Sequence, residues 1–227
     1  MSIIINIDTA TEAAHVSVAR DGAVLQQAFN DNQMDHTGFL QVAVSDILQK
    51  AAISFAQVDA IAVTIGPGSY TGLRVGLASA KGLCYALNKP LITIGTLDVL
   101  AKSALISPEK TALLPKTLLC PMIDARRMEV FTAIFDRSLN PVLPPCALIL
   151  DERSFQEQLK EHPIAFFGNG SPKWQNICSS TNATFLHINI NPLAMSELST
   201  EKYNKNSFSD LAYTEPTYIK EFYLNTI

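Results

Sequence analysis

Residues 61–76 read IAVTIGPGSYTGLRVG, and this stretch decides the fold. The residues before the first glycine are apolar or β-branched and predict a buried strand. The Gly-Pro-Gly that follows predicts a tight turn, because glycine adopts backbone conformations that other residues avoid. Helical spacing then continues to about Leu87, with Thr71 as the expected N-cap. A strand, a glycine-rich loop and a helix therefore follow one another directly.

The loop at residues 66–71 has two interpretations. The N-terminus of the following helix offers unpaired N–H groups and a positive dipole end, which can hold an anion. The same pattern is also typical of a plain turn that binds nothing. If the loop binds a nucleotide or another anion, we expect its ligands to come from the loop, the following helix and the end of the first strand. These candidate residues are Asp8, Thr9, Thr11, Gly68, Ser69, Thr71 and Arg74.

Small residues mark two faces of the helix after the loop, each with a regular helical spacing. The first face carries Gly72, Gly76 and Ala80, and the second carries Ala78, Gly82 and Ala86. A glycine inside a helix costs about 1 kcal/mol relative to alanine, so close packing is needed to offset that cost. We expect one face to pack on the sheet and the other to pack against a second chain.

The composition limits the possible functions. The 227 residues carry a net charge of −4, with 17 basic and 21 acidic side chains. Nucleic-acid binding relies on Lys and Arg contacts to phosphates, so we expect the chain alone to bind RNA poorly, with one local basic patch at Arg126 and Arg127. The four cysteines and four histidines lack metal-ligand spacing, and no metal site is predicted.

The sequence predicts a soluble cytoplasmic protein with no membrane contact. The chain enters a strand at Ile3 without the basic start of a signal peptide. It also lacks an apolar run as long as the roughly 20 residues that cross a bilayer.

The order of the predicted elements divides the chain into two halves. In residues 1–104 an antiparallel meander of strands leads into alternating helices and strands, as in parallel crossover units. Residues 105–227 open with a strand at 118–123 that ends in Asp124, just as the first strand ends in Asp8. We therefore predict one domain in each half.

The second half is less regular than the first. Residues 107–116, with prolines at 108 and 115, are expected to form a connector, and a second proline-rich run at 141–145 precedes the apolar run at 147–150. A helix is predicted over residues 151–160, with Asp151 or Ser154 as its cap. The tail from about residue 193 is expected to pack back on the first half.

Several motifs are similar to those of one known family. They are INIDTAT at residues 5–11, GPGSYTGLRVG at 66–76, AKGL at 80–83, IDARR at 123–127 and EPTY at 215–218. On these motifs, which are spread over the whole chain, the sequence resembles the TsaB (YeaZ) family. The resemblance implies an α/β protein with the actin-like ATPase (ASKHA) superfold, built from two RNase H-like subdomains with mixed sheets. It also implies a role in making threonylcarbamoyladenosine at adenosine 37 of tRNAs that read ANN codons.

The resemblance also implies partners. Members of this family are non-catalytic relatives of the transferase TsaD, with which they form a heterodimer, and they work with the ATPase TsaE. A homodimer is implied when TsaD is absent, and tRNA contact is implied only through the complex. The helices at 37–51 and 72–87 would form the partner or dimer interface, because the first has a wide apolar stripe and the second has two small-residue faces. The expected interface residues are Phe39, Leu40, Ala43, Val44, Ile47, Gly72, Gly76, Ser79, Ala80 and Leu83.

Two departures from related enzymes bear on catalysis. TsaD carries a metal-binding His-Leu-Glu-Gly-His run where this chain has TLDVL at residues 96–100, and leucine cannot bind a metal. Actin-like ATPases have glycine-rich phosphate loops, whereas the loops at 8–11 and 124–127 here carry alanines and two arginines. We therefore expect a scaffold with no intrinsic cofactor, with ATP or ADP bound at the interface of the complex. The alternative is a small-molecule kinase or ATPase of the same superfold, with Asp8 or Asp124 as its catalytic acid.

Overall fold

The computed structural model describes residues 1–31 and 36–220, which form two five-stranded sheets and the helices that cover them. The strands of the first sheet are β1 (Ile3–Asp8), β2 (Ala14–Arg20), β3 (Ala23–Asn30), β4 (Ala60–Thr64) and β5 (Leu91–Ile94). Those of the second sheet are β6 (Leu118–Asp124), β7 (Glu129–Phe135), β8 (Pro141–Ile149), β9 (Ile164–Phe167) and β10 (Ala183–Phe185). The helices are α1 (His36–Lys50), α2 (Tyr70–Leu87), α3 (Thr96–Ile106), α4 (Gln156–Glu161), α5 (Ser171–Gln175) and α6 (Pro192–Asn204). Residues 221–227, the end of the predicted second domain, lie outside the described residues.

Both sheets have the same topology. In the first sheet the spatial order is β3-β2-β1-β4-β5, and β1 pairs antiparallel with β2 and parallel with β4. In the second sheet the order is β10-β9-β6-β7-β8, which is the same arrangement counted from the opposite edge. There β6 pairs antiparallel with β7 and parallel with β9. The prediction of an α/β fold with two mixed sheets is confirmed.

The elements stack in layers, with α3 between the two sheets. The helices α1 and α2 cover one face of the first sheet through side chains such as Leu40 and Leu77. The other face is covered by α6 and by Val99 of α3. On its opposite side, α3 packs Leu97 and Leu100 against the second sheet, whose outer face is covered by residues of α4 and α5. The two sheets therefore share α3 as a common core helix.

After α6 the described chain runs along the first sheet and reaches the second sheet at Lys220. We call residues 205–220 the C-terminal segment. Ser209 forms a bridge to the edge strand β5, and the Thr217 N–H donates to a carbonyl just after β4 at 2.7 Å. Lys220 then forms an ion pair with Glu129 of β7. The segment therefore links the edge of the first sheet to the second sheet.

The N-cap of α2 is Ser69, and the prediction of Thr71 is wrong. The Ser69 hydroxyl accepts a hydrogen bond from the Gly72 N–H at 3.3 Å, and its backbone is extended. An N-cap side chain must reach an N–H two or three residues further on. Thr71 already lies within the first turn of the helix, so its backbone cannot be the extended flank.

Two elements of the second half were not foreseen in full. The proline-rich residues 141–145 are part of β8, because β8 is an edge strand and proline is tolerated where no partner needs its missing N–H. The predicted helix at 151–160 begins only at Gln156. The Asp151 N–H donates to the Ser154 hydroxyl at 2.9 Å, so the two predicted caps close a turn before the helix instead.

No helix within the described residues is long and apolar enough to cross a membrane.

Candidate functional site

The end of β1 and the start of α2 are bonded directly to each other. The Asp8 carboxylate accepts hydrogen bonds from a buried threonine hydroxyl of β4 at 2.6 Å and from the Ala10 N–H at 3.0 Å. The Thr9 hydroxyl donates to the Gly72 carbonyl at 2.7 Å, and the Ser69 N–H donates to the Ala10 carbonyl at 2.7 Å. Asp8 and Thr9 are both buried. The end of β1 and the start of α2 are therefore joined by two hydrogen bonds within the chain.

Glycines bring the two loops into backbone contact. A Cβ on Gly72 would lie 2.1 Å from the Thr9 carbonyl oxygen, and a Cβ on Gly68 would lie 2.2 Å from the Ala10 carbonyl oxygen. Real Cβ atoms do not approach other heavy atoms so closely, so only glycine fits at these positions. The two loops therefore touch backbone to backbone at these two glycines.

The seven predicted anion-site residues do not form one site. Four of them meet at the loop contact just described: Asp8, Thr9, Gly68 and Ser69. Thr11 lies in the lining of a separate cleft, and Thr71 is exposed on the surface of α2. Arg74 is exposed and turns toward two tyrosines.

Arg74 belongs to a surface cluster that the sequence did not predict. Its Nε donates to the Tyr218 hydroxyl at 3.0 Å, and its guanidinium carbon lies 4.1 Å from the centre of the Tyr70 ring. The two tyrosine rings lie 5.3 Å apart. The hydrogen bond to Tyr218 raises the pKa of Arg74, so the guanidinium stays charged. The motif at residues 215–218 marked this tyrosine, but no local pattern placed it beside α2.

A cleft of about 410 Å³ separates the two halves of the molecule. Leu100, Ile123 and Ile188 are among its apolar lining residues. Two acidic residues, Glu12 and Asp31, also line the cleft. No Lys or Arg is found among its described lining residues. Both carboxylates are exposed, so the cleft presents negative charge to a polyphosphate that approaches it from solvent.

The loop after β6 is held by an ion pair. Asp124 binds Lys173 of α5 at 2.8 Å and accepts a hydrogen bond from the Arg126 N–H at 2.5 Å. The Asp124 N–H donates to the Asn169 side chain at 2.9 Å. Arg126 and Arg127 follow in the turn between β6 and β7, where both are exposed. The Asp124 carboxylate is therefore already engaged by groups of its own chain.

The interface prediction needs correction for most of its residues. Seven of them are buried in the core of this subunit: Leu40, Ala43, Val44, Ile47, Gly72, Gly76 and Ala80. They face the first sheet, because the apolar stripe of an amphipathic helix packs on the sheet that it covers. These residues therefore belong to the core of this subunit and not to its surface. For Phe39, Ser79 and Leu83, which are half-buried, the interface role stays a prediction.

A different set of residues on these two helices faces outward. We define the outer helical surface as Val42 of α1 with Ala78, Gly82, Tyr85 and Ala86 of α2. Val42 is 61% exposed and Tyr85 is 83% exposed. A Cβ on Gly82 would have no atom within 4 Å. The second small-residue face of α2 therefore lies on the outside of the subunit.

The segment that corresponds to the metal-binding run of TsaD lies at the start of α3. Thr96 is its first residue and is buried, and Leu100 contributes to the lining of the cleft. Among the described residues, no group of three or more His, Cys, Asp or Glu side chains is placed to bind a metal ion.

Two sheets of one mixed topology, joined through α3, have the architecture of the actin-like ATPase (ASKHA) fold. A Pseudomonas aeruginosa protein described as similar to peptidase YEAZ superposes with a TM-score of 0.79 at 21% identity, covering 97% of this chain and 100% of that chain. An inorganic polyphosphate/ATP-glucomannokinase from Arthrobacter superposes with a TM-score of 0.52 at 11% identity, covering 91% and 100%. At these identities the likeness concerns the fold alone.

Sequence similarity gives the family. The protein-family model described as "TsaD: tRNA N6-adenosine threonylcarbamoyltransferase" matches residues 30–214, which is more than half of the chain. The Escherichia coli protein named tRNA threonylcarbamoyladenosine biosynthesis protein TsaB is 36% identical over 139 residues, which are 61% of this chain and 57% of that protein. The match therefore spans less than two thirds of that relative. The chain belongs to this TsaD family.

Proposed function

We propose that this protein is a non-catalytic subunit of the assembly that forms threonylcarbamoyladenosine at adenosine 37 of tRNAs reading ANN codons. It acts in the cytoplasm as a heterodimer with the transferase TsaD and works with the ATPase TsaE. Without TsaD it forms a homodimer. The similarity to the TsaD family and to TsaB of Escherichia coli supports this assignment.

One observation carries the non-catalytic role. Where an actin-like enzyme would hold nucleotide phosphates, the Thr9 hydroxyl and the Ser69 N–H are bonded to carbonyls of the same chain. Catalysis of group transfer needs donors that are free to meet the charge developing on the substrate. Here those donors are already used, which supports a scaffold over an enzyme.

The cofactor proposal follows from the same contacts. This subunit has no intrinsic cofactor, and ATP or ADP binds at the interface of the complex. The acidic lining of the cleft supports this placement, because Glu12 and Asp31 would repel a polyphosphate. A kinase or ATPase is less well supported, since Asp124 is paired with Lys173 and Asp8 is buried among hydrogen-bond donors.

The partner proposal uses the outer helical surface. Gly82 sits in the middle of an exposed helical face, where it costs about 1 kcal/mol relative to alanine. A helix of TsaD, or of a second copy of this chain, can approach closely over Gly82 because no side chain intervenes. Val42 and Tyr85 then supply apolar area beside the contact.

Reconstitution tests the function. A synthase of the TsaC type, TsaD, TsaE, ATP, threonine, bicarbonate and tRNA are combined with and without this protein, and the modified adenosine is measured by mass spectrometry. We expect product only when the protein is present, and none from the protein without TsaD. Full product in its absence would contradict the scaffold and favour the kinase-like alternative.

A variant of the outer helical surface tests the docking site. We expect Gly82→Leu to weaken binding to TsaD at least tenfold in calorimetric titration, while its melting temperature is no lower than that of the parent. The matched control is Glu157→Leu, an equally exposed position on α4. Unchanged affinity of the Gly82 variant would place the partner elsewhere.

A further inference from the structure

A second pocket lies where α4 and α5 cover the second sheet. Its volume is about 200 Å³, and it is lined by residues of both helices and of the turn that follows α5. Leu159 of α4 and Trp174 of α5 are buried and form its apolar part. Pockets that hold drug-sized ligands measure roughly 300–1,000 Å³. This smaller pocket therefore suits a group about as large as an amino acid.

The indole N–H of Trp174 is a buried donor without an acceptor. Trp174 is 2% exposed, and among the described residues its Nε1 has no hydrogen-bond partner. A buried donor that stays unpaired costs free energy, and most such groups in proteins have a partner. Because Trp174 lines the pocket, an acceptor that enters the pocket can satisfy this donor.

A cysteine lines the same pocket one helical turn after Trp174. Cys178 is half-buried, and its N–H donates to the Trp174 carbonyl at 2.9 Å. Cys84 and Cys120 are buried, and burial raises the pKa of each thiol to about 12. Burial also raises the pKa of the Cys146 thiol in β8. None of these three cysteines lines the pocket or the cleft between the two halves.

Two opposite charges complete the lining of the pocket. Glu152 and Lys160 both line it and are exposed, and within the described part of the chain neither side chain forms an ion pair or a hydrogen bond. Lys160 attracts a carboxylate, which is also an acceptor for the Trp174 N–H, and Glu152 attracts an ammonium group. The lining therefore favours a ligand that carries both groups, as an amino acid does.

We propose that Cys178 is a modification site, at which it forms a mixed disulfide with a small disulfide of the amino-acid class such as cystine. The Cys178 thiolate attacks one sulfur of the ligand, the S–S bond of the ligand breaks, and a new S–S bond joins Cys178 to one half-molecule. The other half leaves as a thiolate and takes up the proton that Cys178 lost. Cys178 is oxidised and the leaving half is reduced, so no further oxidant is needed.

Mass spectrometry of the intact chain after exposure to cystine tests the proposal. We expect the folded chain to gain one half-cystine, which peptide mapping assigns to Cys178 and dithiothreitol removes. The chain unfolded in urea should be modified at all four cysteines. C178S should gain no adduct while folded, and C146S, the matched control, should react as the parent does.

Other small disulfides separate recognition from plain exposure of the thiol. Cystamine carries only ammonium groups and dithiodipropionate only carboxylates. Relative to the same rate ratios for the unfolded chain, the folded chain should prefer cystine over each by about two- to fivefold, the range of an exposed ion pair. K160Q should abolish the preference over cystamine, and E152Q the preference over dithiodipropionate. K50Q removes an exposed charge on α1 and should keep both preferences.

The indole N–H signal reports whether the adduct enters the pocket. The chain has a single tryptophan, so its Nε1–H gives one resonance in nitrogen-15-labelled protein. We expect the half-cystine adduct to shift this resonance downfield, because its carboxylate supplies the missing acceptor. The half-cystamine adduct has no carboxylate and should shift it less.

Three results would overturn the proposal. The first is a folded chain that gains no adduct at Cys178, or gains it as fast at Cys146. The second is a preference for cystine over cystamine that is the same in K160Q and K50Q. The third is an indole resonance at the same position in the half-cystine and half-cystamine adducts, which would place the adduct outside the pocket.

Discussion

Gly76 and Gly82 lie in the same helix but have opposite surroundings. A Cβ on Gly76 would lie 2.2 Å from the Thr9 hydroxyl oxygen, whereas a Cβ on Gly82 would meet nothing within 4 Å. The first glycine lets α2 approach β1, and the second leaves the outer helical surface open. One residue type therefore serves internal packing at one position and exposure at the other.

This contrast predicts opposite effects of the same substitution. We expect Gly76→Ala to lower the free energy of unfolding by about 1–3 kcal/mol, because the added methyl group overpacks against Thr9. Gly82→Ala should raise it by about 1 kcal/mol, because alanine is the better helix former and the methyl group points into open space. Urea denaturation of both variants measures the difference.

A second substitution provides the control for Gly76. In a Thr9→Ala background the hydroxyl that the new methyl group would meet is gone, so Gly76→Ala should cost less than in the parent. The coupling energy from this double-mutant cycle isolates the contact. Equal costs in both backgrounds would show that the Thr9 contact does not set the requirement for glycine.

Among the elements, the C-terminal segment depends on a few backbone hydrogen bonds. The Thr217 N–H donates at 2.7 Å to the carbonyl of Ile65, and the Ser209 N–H donates at 2.8 Å to β5. The Lys81 ammonium also donates to a carbonyl of the segment at 3.1 Å. These bonds hold an otherwise irregular stretch against the edge of the first sheet.

Removal of one donor should loosen this segment. We expect Thr217→Pro to lower the free energy of unfolding by about 1–3 kcal/mol, because it leaves a carbonyl without its partner. Thr217→Ala keeps the N–H and is the matched control, with an effect within about 0.5 kcal/mol. Thermal unfolding and limited proteolysis after residue 205 measure both variants. Equal resistance of the two variants to the protease would contradict a role for this bond.

The local elements were predictable because their signals are local. The spacing of apolar residues, alternating in strands and helical in helices, predicted the bounds of β1 to β5, α1 and α2 within a few residues. The strand through residues 141–145 was not predictable, because proline is allowed there only by the edge position of β8 in the finished sheet. The elements β10 and α5 are too short to show a period.

The candidate site was predictable only in part. In the structure Asp8 and Thr9 lie beside Gly68 and Ser69, because the neighbouring parallel strands β1 and β4 end at one edge of the sheet. The sequence did not show that the Thr9 hydroxyl would bond to Gly72, because that contact depends on how closely α2 approaches β1. The apolar stripe of α1 was likewise ambiguous. Apolar side chains are expected both on a helix face that packs on a sheet of the same chain and on one that packs on a partner, so the sequence could not distinguish the two.

At the scale of the whole molecule, α3 makes the two sheets one folding unit. Its residue Val99 packs on the first sheet, and its residues Leu97 and Leu100 pack on the second. Loss of either sheet would expose one side of this helix. The two halves should therefore unfold together rather than one after the other.

Two built-in probes can test this cooperativity. Trp174 is the single tryptophan and reports on the outer face of the second sheet. Cys84 lies in the core of the first, where burial raises the pKa of its thiol to about 12, so it should react with thiol reagents only on unfolding. We expect fluorescence and Cys84 labelling to give one urea midpoint. Two separate midpoints would mean that α3 does not couple the halves.

The placement of α6 has a consequence for synthesis of the chain on the ribosome. This helix covers a face of the first sheet with Ala194 and Met195, although β5 of that sheet ends at Ile94. At about 5–20 residues per second, the roughly 100 residues in between take about 5–20 s to translate. Throughout that interval the nascent chain has made every strand of its first sheet, and soon afterwards α3, but not the helix α6 that covers the rest of that face. The apolar face is then open to chaperones before any partner subunit can matter.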